Sequence, residues 1–471
     1  MPRKHFYWIL TVMLISAFSV WCADPYAGTF RYVTRKVRSH AIRSLSEREL
    51  FDAGVAGMLA SVDENSGYIP PQTYDELNHE FHQEIGTTGI LFWKDSVADR
   101  FFVGSTLPFS SARMAGIMPG DELLTIDGKS LAGSSSLDIL EKINAPIGRE
   151  ITIEILRPAS QTKLSFTAVS QKVPIESVKG FARTPEGTWD YLLPTLPSPK
   201  QSTSDEIHGN SSNILYAKLD TFGEKTVQEM RQILKKGNRE KCRGLILDLR
   251  GNSGGLLNAA LDICGMFLPE KSVIVNLENA HSDTREPIFS TEERIWEKPV
   301  IILQDGDTAS ASEILAACLQ DYGKKGTIQA LCVGSRTYGK GTIQEIFDLG
   351  PIPDDRYLAN ENDPKTLWQK IWEKPLRGGF RISVSMYLSP DGHQIHRFPN
   401  SKETDEWGVQ PNEGWEVSLM DHPDWKKSRK QFLQDWLSIN CRKDSGGWPQ
   451  NEWKHIFEFD LTLKRAMEYF E

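Results

Sequence analysis

Hydrophobic and polar positions along the chain fall into four textures. The first is a continuous apolar run, "FYWILTVMLISAFSV" (residues 6–20), behind the basic head "MPRKH". It is shorter than the roughly 20 residues of a comfortable membrane span and has the form of a secretory h-region. The second is helical. Ser46 opens a capping box with Glu49, and Phe51, Val55, Met58, Leu59 and Val62 then recur at helical spacing until Pro70-Pro71 breaks that helix, after which a second, shorter one follows. The third starts at Gly86. "GTTGILF", "DRFFVGST", "DELLTIDG" and "REITIEIL" are short β-branched and aromatic runs between turns, which predicts strands, and "FSSARMAG" and "SSLDILEKIN" predict two helices among them. This module ends near Val173.

A polar stretch, "LPTLPSPKQSTSDEIHGNSSN" (residues 193–213), leads into the fourth texture, in which strands and helices alternate. "NILYAKLD", "GLILDLR", "PVIILQD", "TIQALCVG" and "FRISVSMYL" read as strands. "TVQEMRQILKK", "LLNAALDICGMFL" and the segment after Gln304 read as helices. Buried strands separated by helices predict a parallel-sheet core. A second insertion lies near residues 351–376, and the Trp-rich tail after Asp421 reads as helical and peripheral.

Composition narrows the field. A chain of 471 residues suggests about two to four domains. The formal charge of −9 argues against nucleic acid or anionic lipid as a main partner. The leader predicts export, with cleavage near Cys22-Ala23-Asp24, and membrane attachment only if it stays uncut. Trp21 before Cys22 is wrong for lipoprotein processing. The six cysteines show no CxxC or metal spacing and read as buried free thiols, so neither metal nor cofactor is expected.

Three stretches could carry chemistry. "LILDLRGNSGG" runs a buried strand into glycines whose N–H groups can face a ligand, and it lacks the G-K-[ST] of a phosphate loop. "QDGDTASASEILAACLQ" places Ser310 where a strand turns into a helix. By itself, Ser310-Ala-Ser-Glu313 is a helix-capping box; in this setting it also resembles a nucleophile turn without G-x-S-x-G. "RTYGKGTIQ" sets Lys340 between two glycines, either as a surface loop or as a lysine whose backbone passes close to other elements. The ten histidines fall in the leader, the helical region, the insertions and polar loops, none beside a core glycine turn or strand end. A Ser–Lys pair is the arrangement that needs no histidine.

Taken together and in order, "MLASVDENSGYIPPQTYDELN", "GTTGILF", "SARMAGIMPGDELLTIDG", "GLILDLRGNSGG", "TASASEI" and "TYGKGTIQ" resemble the carboxyl-terminal processing peptidases, or tail-specific proteases, over nearly all of residues 45–420. The resemblance implies an α/β multidomain chain. It has a ClpP/crotonase-like ββα core, an inserted PDZ domain and peripheral helical N- and C-terminal regions. The divisions are a signal peptide 1–23, helical region 36–85, PDZ domain 86–173, serine peptidase core 174–420 and helical tail 421–471. It implies Ser310 as nucleophile, Lys340 as general base and Gln344 as its orienting partner. An oxyanion hole is implied at the N–H of Ala311 and of Gly254 (preferred) or Gly255. Gly89, Ile90, Leu91 and Phe92 would form the loop that meets a substrate's terminal carboxylate. Partners would be proteins or peptides with apolar C-termini, and a homo-oligomer is compatible with this. The stretch between Ser310 and Lys340 is somewhat longer than the family's. A dead peptidase core serving as a PDZ scaffold is the alternative, and an acyl-CoA enzyme on the same core gives no reason for a PDZ module.

The dyad makes a physical demand. Lysine, with a pKa near 10.4, is a cation at neutral pH, so it acts as a base only where burial disfavours the charge, by roughly 4 kcal/mol. Glutamine at 344 can hydrogen-bond the amine without restoring that charge.

Overall fold

The computed structural model describes residues 25–95, 99–158, 160–183, 188–194, 211–279, 284–352, 376–418 and 460–471. The leader, most of both insertions and most of the tail (residues 419–459) lie outside them. The chain forms two compact units, Met1–Asp75 with Gln344–Ser383, and Glu76–Ile343 with Val384–Glu471.

In the first unit the helices Pro25–His40 and Glu47–Ala60 precede a short strand, Gly67–Ile69. The Ser46–Glu49 capping box forms in full, each side chain accepting the other residue's N–H. Its apolar stripe is less buried than the spacing suggests: Leu59 is covered, while Met58 and Val62 are exposed. Gly67–Ile69 pairs antiparallel with Gly379–Arg381, and Phe347 stacks on Phe380 at 5.0 Å.

The second unit holds both the strand module and the α/β core. The chain enters the module by Glu84–Thr87 and leaves by Gln171–Pro174, which pair antiparallel. Between them, Ile90–Asp95, Arg100–Thr106, Glu122–Ile126, Glu150–Arg157 and Thr162–Val169 form one antiparallel path, with Ile90–Asp95 at its end. Thr162–Val169 is a further strand, in which Leu164, Phe166 and Ala168 alternate with the exposed Lys163, Ser165 and Thr167. Helix Ser136–Ile143 packs Ile139 and Ile143 into the core of this sheet. Polar groups fix the module to the core. Gln83 accepts the Lys225 N–H and donates to the Ile175 carbonyl at 3.3 Å, and Glu229 accepts the Ser177 and Val178 N–H groups at 2.9 Å.

In the core, Ser211–Leu219, Gly244–Asp248, Val300–Gln304 and Ala330–Gly334 pair in parallel, as expected. Alternate residues face opposite sides. Leu215, Leu245, Leu247 and Ile302 meet the helices Thr226–Arg239, Leu257–Gly265 and Ala311–Lys324, while Ile214, Tyr216, Ile246, Ile301 and Leu303 face away from them. A parallel sheet needs both faces covered. The second cover comes from the end of the chain: helix Leu461–Glu468 inserts Leu463, Ala466 and Met467, followed by Phe470. A Cβ on Gly244 would sit 2.1 Å from the Phe470 ring, so the strand at that point must be glycine.

The tail is therefore not peripheral at its end, because it seals an apolar face of the sheet. The strand "FRISVSMYL" is likewise not part of the parallel sheet. Its Ser385–Leu388 end pairs antiparallel with Asn276–Asn279, itself paired with Arg285–Phe289. The cysteines Cys242, Cys264, Cys318 and Cys332 are buried free thiols, as expected; Cys22 and Cys441 lie outside the described residues. Met467→Ala is expected to cost about 2–4 kcal/mol of unfolding free energy, read from chemical denaturation, because it opens a cavity under this cover.

Candidate active site

Strand Val300–Gln304 ends in a tight turn held from two sides. The Thr308 hydroxyl donates to the Leu249 carbonyl at 3.0 Å, and the Ala309 N–H donates to the Asn252 carbonyl at 3.0 Å. The Ser312 hydroxyl reaches that same carbonyl at 3.1 Å. The turn forces Ser310 to φ 57° and ψ −120°, a conformation that side chains rarely adopt. It costs about 1–3 kcal/mol and persists only where the surroundings over-determine it. Helix Ala311–Lys324 starts at the next residue.

Glu313 is the surrounding that does so. It is fully buried, and its carboxylate accepts four hydrogen bonds. Oε1 takes the Thr337 hydroxyl at 2.6 Å and the Gly339 N–H at 2.7 Å; Oε2 takes the Ser310 N–H at 2.9 Å and the Lys340 N–H at 2.8 Å. One carboxylate thus ties the serine turn to the lysine loop. Burial pushes its pKa up, and the Thr337 hydroxyl and the three N–H groups pull against that. Only half of the capping box is used as expected. The Ser310 hydroxyl faces the Glu313 N–H, but that N–H already donates to the Ser310 carbonyl at 2.8 Å and makes no regular bond to the hydroxyl. Tyr387, also buried, approaches both the Ser310 and the Lys340 carbonyls with its single hydroxyl proton.

The glycines around Lys340 are close-approach positions, as one of the two readings held. A Cβ on Gly339 would lie 2.7 Å from the Arg397 Cβ, and one on Gly341 would lie 2.4 Å from the His396 nitrogen. His396 is itself 8% exposed. This corrects the expectation that no histidine neighbours a core glycine turn: the turn and His396 are distant in sequence and meet only in the fold.

The glycine loop lies against Ser310. A Cβ on Gly254 would be 2.8 Å from the Ser310 Cβ and 3.0 Å from the Ala311 nitrogen, and Gly254 has φ 108°. Its N–H, however, donates to Asn252 Oδ1 at 2.8 Å. Among the described residues, the N–H groups of Gly255 and Ala311 donate to no protein atom. Of the two glycines, Gly254 has its N–H taken by Asn252, and Gly255 keeps its N–H unspent. Asn252 is the residue the sequence pattern underrated. Fully buried, it also donates its amide to the Leu219 carbonyl at 2.8 Å and so sets the loop's path.

Gln344 belongs to the first unit, where its amide donates to the Asn65 carbonyl. In the strand module, Ile90 is buried, Phe92 half-buried and Leu91 exposed. Gly89 has φ 89°, and its N–H is taken by Thr87 Oγ1 at 3.0 Å, so it is not among the groups left to meet a carboxylate.

Residues 213–413 match the model of Peptidase family S41. The chain is 26% identical over 379 residues to the carboxyl-terminal-processing protease of Synechocystis, covering 80% of this chain and 74% of that one. It is 23% identical over 431 residues to the carboxy-terminal processing protease CtpB of Bacillus subtilis, covering 90% and 78%. The solved photosystem II D1 C-terminal processing protease aligns over 87% of this chain and 92% of that one, with 20% identity and a TM-score of 0.38. The protein is a serine-type peptidase. Beyond that domain, over most of its length, the chain is similar to carboxyl-terminal processing proteases.

Glu313→Gln sets an amide NH₂ against two buried donors whichever way it is turned. It is expected to cost about 3 kcal/mol or more in unfolding free energy by chemical denaturation, with turnover lost alongside.

Proposed function

We propose that the chain is an exported endopeptidase that captures protein C-termini on residues 86–173, a PDZ domain inserted ahead of a ClpP/crotonase-like core, and cuts peptide bonds with a Ser310–Lys340 dyad. The observation that carries this reading is the strained Ser310 turn beside two N–H groups, of Ala311 and Gly255, that have no protein acceptor among the described residues. Such groups are preorganised for an oxyanion, and the helix start favours negative charge there.

In this mechanism the neutral Lys340 amine takes the Ser310 hydroxyl proton as Oγ bonds to the scissile carbonyl carbon. The carbonyl oxygen becomes an oxyanion against the Ala311 and Gly255 N–H groups, each worth about 10²–10³ in rate. The C–N bond then breaks, and the departing amine carries off the proton held by Lys340. Water then gives a proton to Lys340 as its oxygen bonds to the acyl carbon, the C–Oγ bond breaks, and Lys340 returns that proton to Ser310 Oγ, leaving the amine neutral again. Substrate selection follows from the end strand Ile90–Asp95, whose open edge suits a peptide adding as a further strand.

Ser310→Ala and Lys340→Ala are expected to abolish cleavage of a protein with an apolar tail, and fluorophosphonate is expected to label Ser310 in the parent, both read by mass spectrometry. A parent that retains such a protein uncut would be a binding scaffold instead. Export rests on residues 1–23: N-terminal sequencing of the secreted protein should begin near Ala23, and a chain that keeps Met1 and stays inside the cell would remove that part.

A further inference from the structure

We infer that Asp460 is a positioning residue for the glycine loop beside Ser310, so that turnover depends on a group at the far end of the chain. The inference rests on the peptidase reading above. The loop starts at Arg250, whose guanidinium is gripped on two sides. Nε and Nη2 donate to Asp248 at 2.9 and 2.6 Å, and Nη1 and Nη2 donate to Asp460 at 2.7 and 2.8 Å. The side chains are 2% exposed at Asp248, 19% at Arg250 and 4% at Asp460, so water does little to loosen the contact. The planar guanidinium fork meets a carboxylate on each side, which fixes direction as well as distance.

That grip leads directly to the serine. The Arg250 carbonyl is held by Lys218 Nζ at 2.8 Å, so both ends of the residue are fixed. Two residues on, Asn252 receives the Ala309 N–H and directs the Gly254 N–H onto its own Oδ1. Gly255 follows. Asp460 cannot drift, because its Oδ1 also caps the Leu463 N–H at 2.9 Å and the helix behind it is anchored by buried Leu463, Ala466 and Met467. Without the Asp460 carboxylate, Arg250 keeps one partner and can swing, and the loop moves with it.

Seating the tail helix is a separate matter, done by its apolar face. A buried ion pair is weak support for stability in any case, since desolvation consumes most of the Coulombic gain. A geometric role accounts for its placement better than a stabilising one.

The test uses the full chain with Asp460→Asn, and Met467→Ala as a variant that loosens the same helix without touching the carboxylate. For each, kcat, KM, the rate of fluorophosphonate labelling at Ser310 and the thermal midpoint are measured, with the kinetics taken well below the midpoint. Asp460→Asn is expected to lower kcat and the labelling rate about tenfold or more, with KM within about twofold. Met467→Ala is expected to lower the midpoint and keep kcat. Parent-like kcat and labelling in Asp460→Asn, or a loss of kcat in both variants that follows their loss of stability, overturns the inference. A parent that neither cleaves nor is labelled overturns the peptidase reading itself, and this inference with it.

Discussion

Four donors converge on the Glu313 carboxylate at a fully buried position, and two of them are the backbone N–H groups of Ser310 and Lys340. A buried carboxylate is costly unless its lone pairs are met. Meeting them here requires the serine turn and the lysine loop to be side by side. The requirement acts both ways. The donors make the charge tolerable, and the charge holds Ser310 in a backbone conformation it would otherwise leave. Its position in the first turn of a helix adds a favourable field. Tyr387 closes the arrangement from a third element, approaching the carbonyls of the same two residues.

Around this point the parallel sheet behaves as a two-sided object. Its strands are apolar on both faces, so each face needs its own cover. The helices between the strands supply one, including the helix that begins after Ser310. The other comes from the last residues of the chain, 210 positions beyond Arg250, and the same tail brings the carboxylate of Asp460 to the root of the glycine loop. Sheet cover and loop geometry are thus joined in a single short helix.

Much of this was legible beforehand. The uninterrupted apolar run "LILDL" announces a strand buried on both sides, and the glycines flanking Lys340 mark a backbone with no room for side chains, as the close approaches of Arg397 and His396 bear out. The spacing of Ser310 and Glu313 was visible too, but it has two meanings. A capping box and a carboxylate that bridges two loops share the same letters, and the difference lies in Thr337, Gly339 and Lys340, which no helical spacing connects to Glu313. Thr162–Val169 carries the alternation of a half-buried strand, Leu164, Phe166 and Ala168 against Lys163, Ser165 and Thr167, while the tail reads as peripheral because a single amphipathic helix does not say which surface it will cover.

The sequence by itself determined the order of the elements, the placement of Ser310 at a strand-to-helix turn, the glycine loop after the Gly244–Asp248 strand and the lysine between glycines. These are local matters, set by side-chain periodicity and by where a backbone can turn. The tertiary structure alone decided that Gly255 rather than Gly254 keeps its N–H unspent, that Glu313 joins two loops, that His396 lies against Gly341 and that the chain's end seals the sheet. Each depends on hydrogen-bond partners or apolar surfaces far apart in the chain, and such pairings exist only once the chain has folded.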